Sequence, residues 1–258
     1  MKPITRRDFL KLSGLALMSV ASGRYVPAQA GGDYFTAPLL WHGSRRYKNI
    51  AFTYDDCNSL VRLQRVEKLL DEYPEFKVTF FPIGLKIPDL NSKDKGIWKR
   101  FVEKGHEIGY HTYEHVNLGV MSYAGALMDF DRWQRALNDA LGAEYPTRFI
   151  RPPYNIVSQT LDFLCRERGL VAAEFSIGGG GEPDVVLRAI QNTKGGDIVQ
   201  MHIRTEDYES SKLAFPWLQE NQWDLVTMSR LYDDYLREQV NSDGCDTEAS
   251  GLTRTCVE

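Results

Sequence analysis

Short apolar runs alternate with amphipathic segments from Trp41 to about Tyr235, and this alternation restricts the chain more than any other feature. Strand-like runs occupy residues 50–54, 76–83, 107–111, 147–150, 170–177, 198–202 and 225–228. Between them the apolar spacing turns helical. Val66, Leu69, Leu70 and Tyr73 recur at i, i+3, i+4 and i+7, and Leu127, Phe130, Gln134, Leu137 and Leu141 keep a similar period. Ser122 is placed to cap the second of these helices and Gly142 to stop it. Gly105 and Gly169 each stand where a C-cap needs positive φ. Parallel neighbours in a sheet need a crossover, usually a helix. Seven repetitions therefore predict an α/β fold, a distorted (β/α) barrel of seven or eight parallel strands. No internal repeat and no Pro/Ser-rich linker interrupts the region, so residues 31–240 are expected to form one domain.

Residues 1–30 stand apart from that pattern. Arg6 and Arg7 lie in Thr5-Arg6-Arg7-Asp8-Phe9-Leu10-Lys11, an apolar run follows over 12–21, and Ala28-Gln29-Ala30 supplies a small-x-small cleavage pattern. The run is shorter than the ~20 residues of a membrane span. The segment resembles a twin-arginine export signal, or a Sec signal that carries two arginines. The expected product begins near Gly31, sits in the bacterial periplasm or is secreted, and is not stably inserted in a membrane. Cleavage removes Lys2, Arg6, Arg7, Lys11, Arg24 and Asp8, which takes the formal net charge from −4 to −8. That sign argues against nucleic acid and anionic lipid, whose binding depends on Lys and Arg. Neutral or cationic glycans remain as partners. In an exported chain the four cysteines raise the question of disulfides. Cys245 and Cys256 bracket the polar tail at 241–258, and a bridge there would add about 3 kcal/mol on a loop-entropy basis. Cys165 lies in an amphipathic stretch and reads as a small buried hydrophobe.

The chemistry-bearing residues fall at the ends of strand-like runs. His111-Thr112-Tyr113-Glu114-His115 puts two imidazoles four apart, which on a helical turn would aim both at one ion. A carboxylate is the natural third ligand, because it completes a facial set and leaves positions open. Asp55-Asp56 offers one carboxylate for a metal and another as a base, although such pairs also serve as turns and N-caps. Asp55, Asp56, His111, Arg151 and His202 each end a run, and in α/β barrels functional groups gather at the carboxyl ends of strands. The glycine run at 178–181 has no Lys-Ser/Thr after it and is not a phosphate loop. His106 is expected to satisfy a local hydrogen bond, and His42 has no assigned role.

Taken in order, these residues resemble the polysaccharide deacetylases of the nodulation-type (NodB) homology domain, carbohydrate esterase family 4. Thr53-Tyr54-Asp55-Asp56-Cys57 is similar to the family's Thr-Phe-Asp-Asp-Gly, and His111-Thr112-Tyr113-Glu114-His115 to its His-Ser/Thr-x-x-His. Arg151-Pro152-Pro153-Tyr154 matches the third motif, and the apolar strand ending at His202 resembles the last. The resemblance implies that Asp56, His111 and His115 bind a divalent metal, zinc, and that Asp55 is the general base. It implies that Arg151 holds Asp55, the Tyr154 backbone N–H binds the oxyanion, and His202 is the general acid. It implies hydrolysis of N- or O-acetyl groups on a cell-wall or extracellular polysaccharide. Departures occur at Cys57, where the family has glycine, and at Glu174-Phe175, where it has aspartate and tryptophan supporting the acid histidine. Gln200 stands where leucine lines the acetyl pocket, and Ile203 replaces a common aspartate. Two alternatives follow from these changes: a catalytically impaired metal- or glycan-binding module, or a hydrolase of another non-peptide amide on the same fold.

Overall fold

The computed structural model describes residues 35–243. The expected export signal, and Cys245 and Cys256 with their expected bridge, lie outside the described residues.

The architecture follows from strands buried on both faces. Strand β2 (Asn49–Asp56) is buried at every position but the last, with Ile50, Ala51 and Phe52 as its apolar run. Its neighbours are all parallel to it: β3 (Thr79–Pro82), β8 (Asp197–His202) and β9 (Asp224–Leu225). β4 (Glu107–Ile108) extends this sheet beyond β3 and β7 (Ile177–Gly178) extends it beyond β8. A second sheet runs in the order β1 (Leu39–Leu40), β6 (Val171–Ala173), β5 (Phe149–Ile150). The parallel bridge Tyr110↔Ile150 joins the two, so β2 to β8 follow one another around a ring of seven parallel strands. Among the described residues no ladder pairs β6 with β7, which leaves the ring open there. This is the distorted α/β barrel that the strand–helix alternation predicts.

Helices link successive strands: α1 (Leu60–Asp71), α2 (Lys86–Lys93), α3 (Ile97–Glu103), α4 (Tyr123–Leu141), α5 (Gln159–Arg168), α6 (Pro183–Gln191), α7 (Thr205–Glu220) and α8 (Met228–Asp243). Among the described residues no helix is long and apolar enough to cross a membrane. Helix α4 begins where Ser122 accepts from the Gly125 N–H and ends at Gly142, φ +71°. Its buried face is Ala126, Phe130, Trp133 and Leu137: Phe130 and Leu137 of the expected stripe are buried, while Leu127, Gln134 and Leu141 lie at its margin. Trp133 outweighs them because its indole N–H reaches the Pro82 carbonyl while its ring fills the layer between helix and sheet.

Other expectations need correction in detail. The run 170–177 is two strands in different sheets, split where Glu174 turns the chain from β6 to β7. The run 225–228 is a strand only to Leu225, and Met228 opens α8. Strand β1, two residues long, carried no periodic signal.

Alternation along the strands decides what faces the interior. Ala51 and Ile198 enter a buried cluster with Phe81, Phe149, Ala173, Met228 and Leu231, which fills the barrel below the site. Two and four residues on, the same face presents Thr53 and Asp55 on β2 and Gln200 and His202 on β8. Buried Glu107 closes the opposite end, accepting from Thr79 Oγ1 and from the Ser229 N–H in the first turn of α8.

Candidate active site

The β2–β8 register pairs Asp55 with His202 and Thr53 with Gln200, so parallel pairing alone sets a carboxylate beside an imidazole at the strand ends. The loops after β4 and β5 bring the remaining groups. Of the seven described non-glycine residues with positive φ, six lie here: Asp56, Cys57, Thr112, His115, Tyr154 and Asn155. Each such conformation costs on the order of 1 kcal/mol and persists only where surrounding packing enforces it. Their concentration in three loops marks this end of the barrel as the place where side-chain aim outweighs backbone comfort. It also corrects the helical picture of His111 and His115. The segment between them is irregular, and left-handed Thr112 and His115 turn the two rings together, with centroids 5.0 Å apart.

Asp56, His111 and His115 form the densest ligand group among the described residues, with one ligand atom from each within 4.8 Å of the others. His111 Nδ1 lies 2.7 Å from the Arg151 carbonyl oxygen. That oxygen can only accept, so Nδ1 carries the proton and Nε2 faces Asp56 as a bare lone pair. Asp56 Oδ1 is 3.5 Å from His111 Nε2 and 3.3 Å from His115 Nε2. Ligands about 2.0–2.2 Å from a tetrahedral zinc stand roughly 3.3–3.5 Å apart, so the spacing fits a shared ion. Asp56 Oδ1 is buried and makes no hydrogen bond, as an oxygen reserved for a cation would be. Burial alone would raise the Asp56 carboxyl, but His111 and His115, whenever their rings are protonated, hold it below its ordinary range. Burial, helped by His111, pushes the His115 ring downward and favours its neutral, ligating form.

Asp55 points the other way. It is 1% exposed and lies 3.3 Å from the guanidinium of Arg151, which is itself fully buried. Arg151 is fixed by donation from Nε to the Ala173 carbonyl at 2.7 Å and from Nη2 to that of Glu174 at 3.2 Å. One rigid cation therefore orients Asp55 and ties β2 to β6. Gln200 adds a contact absent from the sequence reading. Its Nε2 donates to Asp55 Oδ2 at 2.6 Å and to Asn155 Oδ1 at 3.3 Å. Glu174 does not reach His202 through any hydrogen bond; burial pushes its carboxyl up to about 7, against the pull of Arg151.

Tyr154 is 63% exposed at the mouth, its ring edge-on to His115 and its hydroxyl donating to the His115 carbonyl. Cys57, fully buried, donates to the Tyr54 carbonyl, and burial holds its thiol well above its ordinary pKa, so it packs as an inert side chain. Cys165 is likewise buried and free. His106 accepts from the Val78 N–H, and His42 contacts the neighbouring Gly43 carbonyl. All seven sequence-selected residues thus gather at one end of the barrel. Asn155 and Asp207 join them without having been singled out, because their places depend on a turn and a helix start that carry no motif.

The family model for polysaccharide deacetylase matches residues 42–173, a stretch that holds Asp55, Asp56, His111, His115, Arg151 and Tyr154 but ends before His202. A peptidoglycan-N-acetylglucosamine deacetylase of Bacillus cereus is 26% identical over 214 residues, covering 76% of this chain and 93% of that protein. A peptidoglycan-N-acetylglucosamine deacetylase of Listeria monocytogenes is 28% identical over 244 residues, covering 91% of this chain. This chain spans about half of that relative, 48% of its length. Among solved structures, a CE4 family pseudoenzyme from Bacillus anthracis superposes with a TM-score of 0.67 at 20% identity, over 77% of this chain and 70% of that one. Identity that low speaks for the fold alone.

Proposed function

Because this chain belongs to the polysaccharide deacetylase family, we propose that it is an exported, metal-dependent hydrolase that removes acetyl groups from an N-acetylglucosamine-containing cell-wall or extracellular polysaccharide. The observation that carries the reading is the placement of Asp56, His111 and His115 beside an Arg151-held Asp55 and across one strand pair from His202. Two nitrogens and one carboxylate oxygen suit zinc. When bound, such an ion polarises a carbonyl and lowers the pKa of water toward 7.

The chain's own groups do the rest. Asp55, kept oriented by Arg151, takes a proton from the attacking water. The Tyr154 N–H donates to the oxyanion that develops on the acetyl carbonyl. His202 gives a proton to the departing amine or sugar oxygen. The names of the Bacillus and Listeria relatives support a peptidoglycan-type substrate, and the paired arginines with Ala28-Gln29-Ala30 support export to the periplasm or beyond.

Acetate release by the purified protein, with and without chelator, across peptidoglycan, chitin-type and acetylated xylan substrates tests this reading. Release that chelator abolishes and zinc restores is expected, with losses of at least about 10²-fold in Asp55→Asn and His202→Ala. Stoichiometric zinc without acetate from any polymer would favour a binding module, a reading that the Gln200–Asp55 contact supports.

A further inference from the structure

His202 and Asp207 present two unmatched atoms to each other. Among the described residues, His202 Nδ1 and Asp207 Oδ2 are both buried and make no hydrogen bond, and they stand 3.9 Å apart. An orphaned nitrogen facing an orphaned oxygen is a pair one small movement from closing, since about 1 Å separates that distance from a hydrogen bond. Catalytic contacts are commonly long before substrate tightens them. Asp207 is fully buried in the first turn of α7, five residues after His202, so the chain reverses between them and lays the carboxyl against the ring.

The other carboxyl oxygen is already fixed. Asp207 Oδ1 accepts from the Gly180 N–H at 2.8 Å. A Cβ on Gly179 would come within 2.7 Å of that oxygen and 2.6 Å of the Gln200 carbonyl. The glycine run therefore lets the 178–181 backbone close over Asp207 and hold its orientation. On the same helix Ser211 donates to the Asp207 carbonyl and contacts the Tyr54 hydroxyl, which anchors this turn to β2. Exposed Arg204 is the other charged group felt by the carboxyl.

We propose that Asp207 is the positioning residue of His202, accepting from its Nδ1–H and so leaving Nε2 to face the cleft. A general acid of this kind carries protons on both ring nitrogens while it acts, and the inward N–H needs an acceptor. In the family this chain resembles, an aspartate after the fifth strand supports the acid histidine; here Glu174 holds that region without contacting His202. The structure offers a carboxyl from a different element, the start of α7. This inference rests on the proposed role of His202 as general acid.

The ring's tautomer provides a test that needs no turnover. Long-range ¹H–¹⁵N spectra of the ¹⁵N-labelled, metal-free protein, with His202→Gln to assign the resonances, read which nitrogen holds the proton. The expected result is Nδ1–H in the native protein. Asp207→Asn keeps the side-chain shape, and the Gly180 N–H claims its oxygen, so its NH₂ faces Nδ1 and can only donate. The tautomer should then switch to Nε2–H. In the same variant kcat should fall on the order of 10²-fold with KM within about twofold. Nε2–H in the native protein, or an Nδ1–H that persists in folded Asp207→Asn, would overturn the proposal and leave Asp207 a purely structural helix-start residue. Nε2–H in the native protein overturns the proposal even if the variant does not fold, and Asp207→Glu, which keeps an acceptor, should then retain Nδ1–H where Asp207→Asn cannot be read. Loss of the predicted acetate release with Nδ1–H intact would instead count against the deacetylase reading.

Discussion

Gln200 is the residue whose identity bears most directly on rate. Its amide donates to Asp55 Oδ2 at 2.6 Å, where the related family carries leucine. That amide occupies a carboxylate lone pair which has to be freed to receive the water proton, and a hydrogen bond to a charged group is worth about 1.5 kcal/mol. Gln200→Leu should therefore raise kcat/KM on an acetylated glycan by roughly tenfold. Steady-state kinetics on that variant are the check, and a fall would mean that Gln200 holds Asp55 in its working position. His106 makes a different residue-scale prediction. Burial, aided by Lys77 and Lys104, pushes its ring down to about 4 from the ordinary 6.5. Below pH 6.5 the unfolded chain binds a proton that the native ring refuses, so native stability is lost as pH falls through that window, by up to about 3 kcal/mol. Glu174 works in the opposite sense, because its carboxyl stays protonated to about 7 in the native state and so loses stability as pH rises. Urea unfolding of His106→Asn against the native protein between pH 4 and 7 separates the two. The variant should show a shallower loss on acidification, and equal slopes would mean that His106 is not held neutral.

At the scale of elements, the helix signals gave local boundaries and the inward face of α1, but only part of the inward face of α4. Ser122 and Gly142 close α4 at both ends, as their chemistry dictates. Ser122→Ala should cost about 1 kcal/mol and lower Tm by roughly 2–4 °C, measurable by thermal unfolding. A change within error would mean that packing of the Trp133 face alone determines that terminus. The same limit applied to His111 and His115. Their spacing suited a helical turn, yet the turn is irregular, because Thr112 and His115 adopt φ of 59° and 58°. Sequence spacing told which residues meet and misjudged the backbone that brings them together.

For the whole molecule, metal binding and folding should be coupled, since Asp56 comes from β2 while His111 and His115 come from the loop after β4. An ion that binds only the native arrangement stabilises it by mass action, about 2.7 kcal/mol at a hundredfold excess over Kd. Zinc at that excess should raise Tm by roughly 5–10 °C in the native protein and not in His115→Ala. Equal shifts in both would place the ion elsewhere. The measurement reads stability alone, so it stands whether or not the substrate is known.

The sequence by itself determined the α/β class, the order of most strands and helices, and, through the family its motifs resemble, the metal, base and acid candidates. These depend on local periodicity and on short motifs at strand ends, where the chemistry is written in neighbouring residues. Only the tertiary structure decided the rest: that β6 and β7 part company at Glu174, that Gln200 rests on Asp55, and that Asp207 faces His202. Each depends on strand register and on how one loop folds over another. Those contacts join residues 23 or 145 positions apart, or turn on one helix start, and no local pattern encodes such meetings.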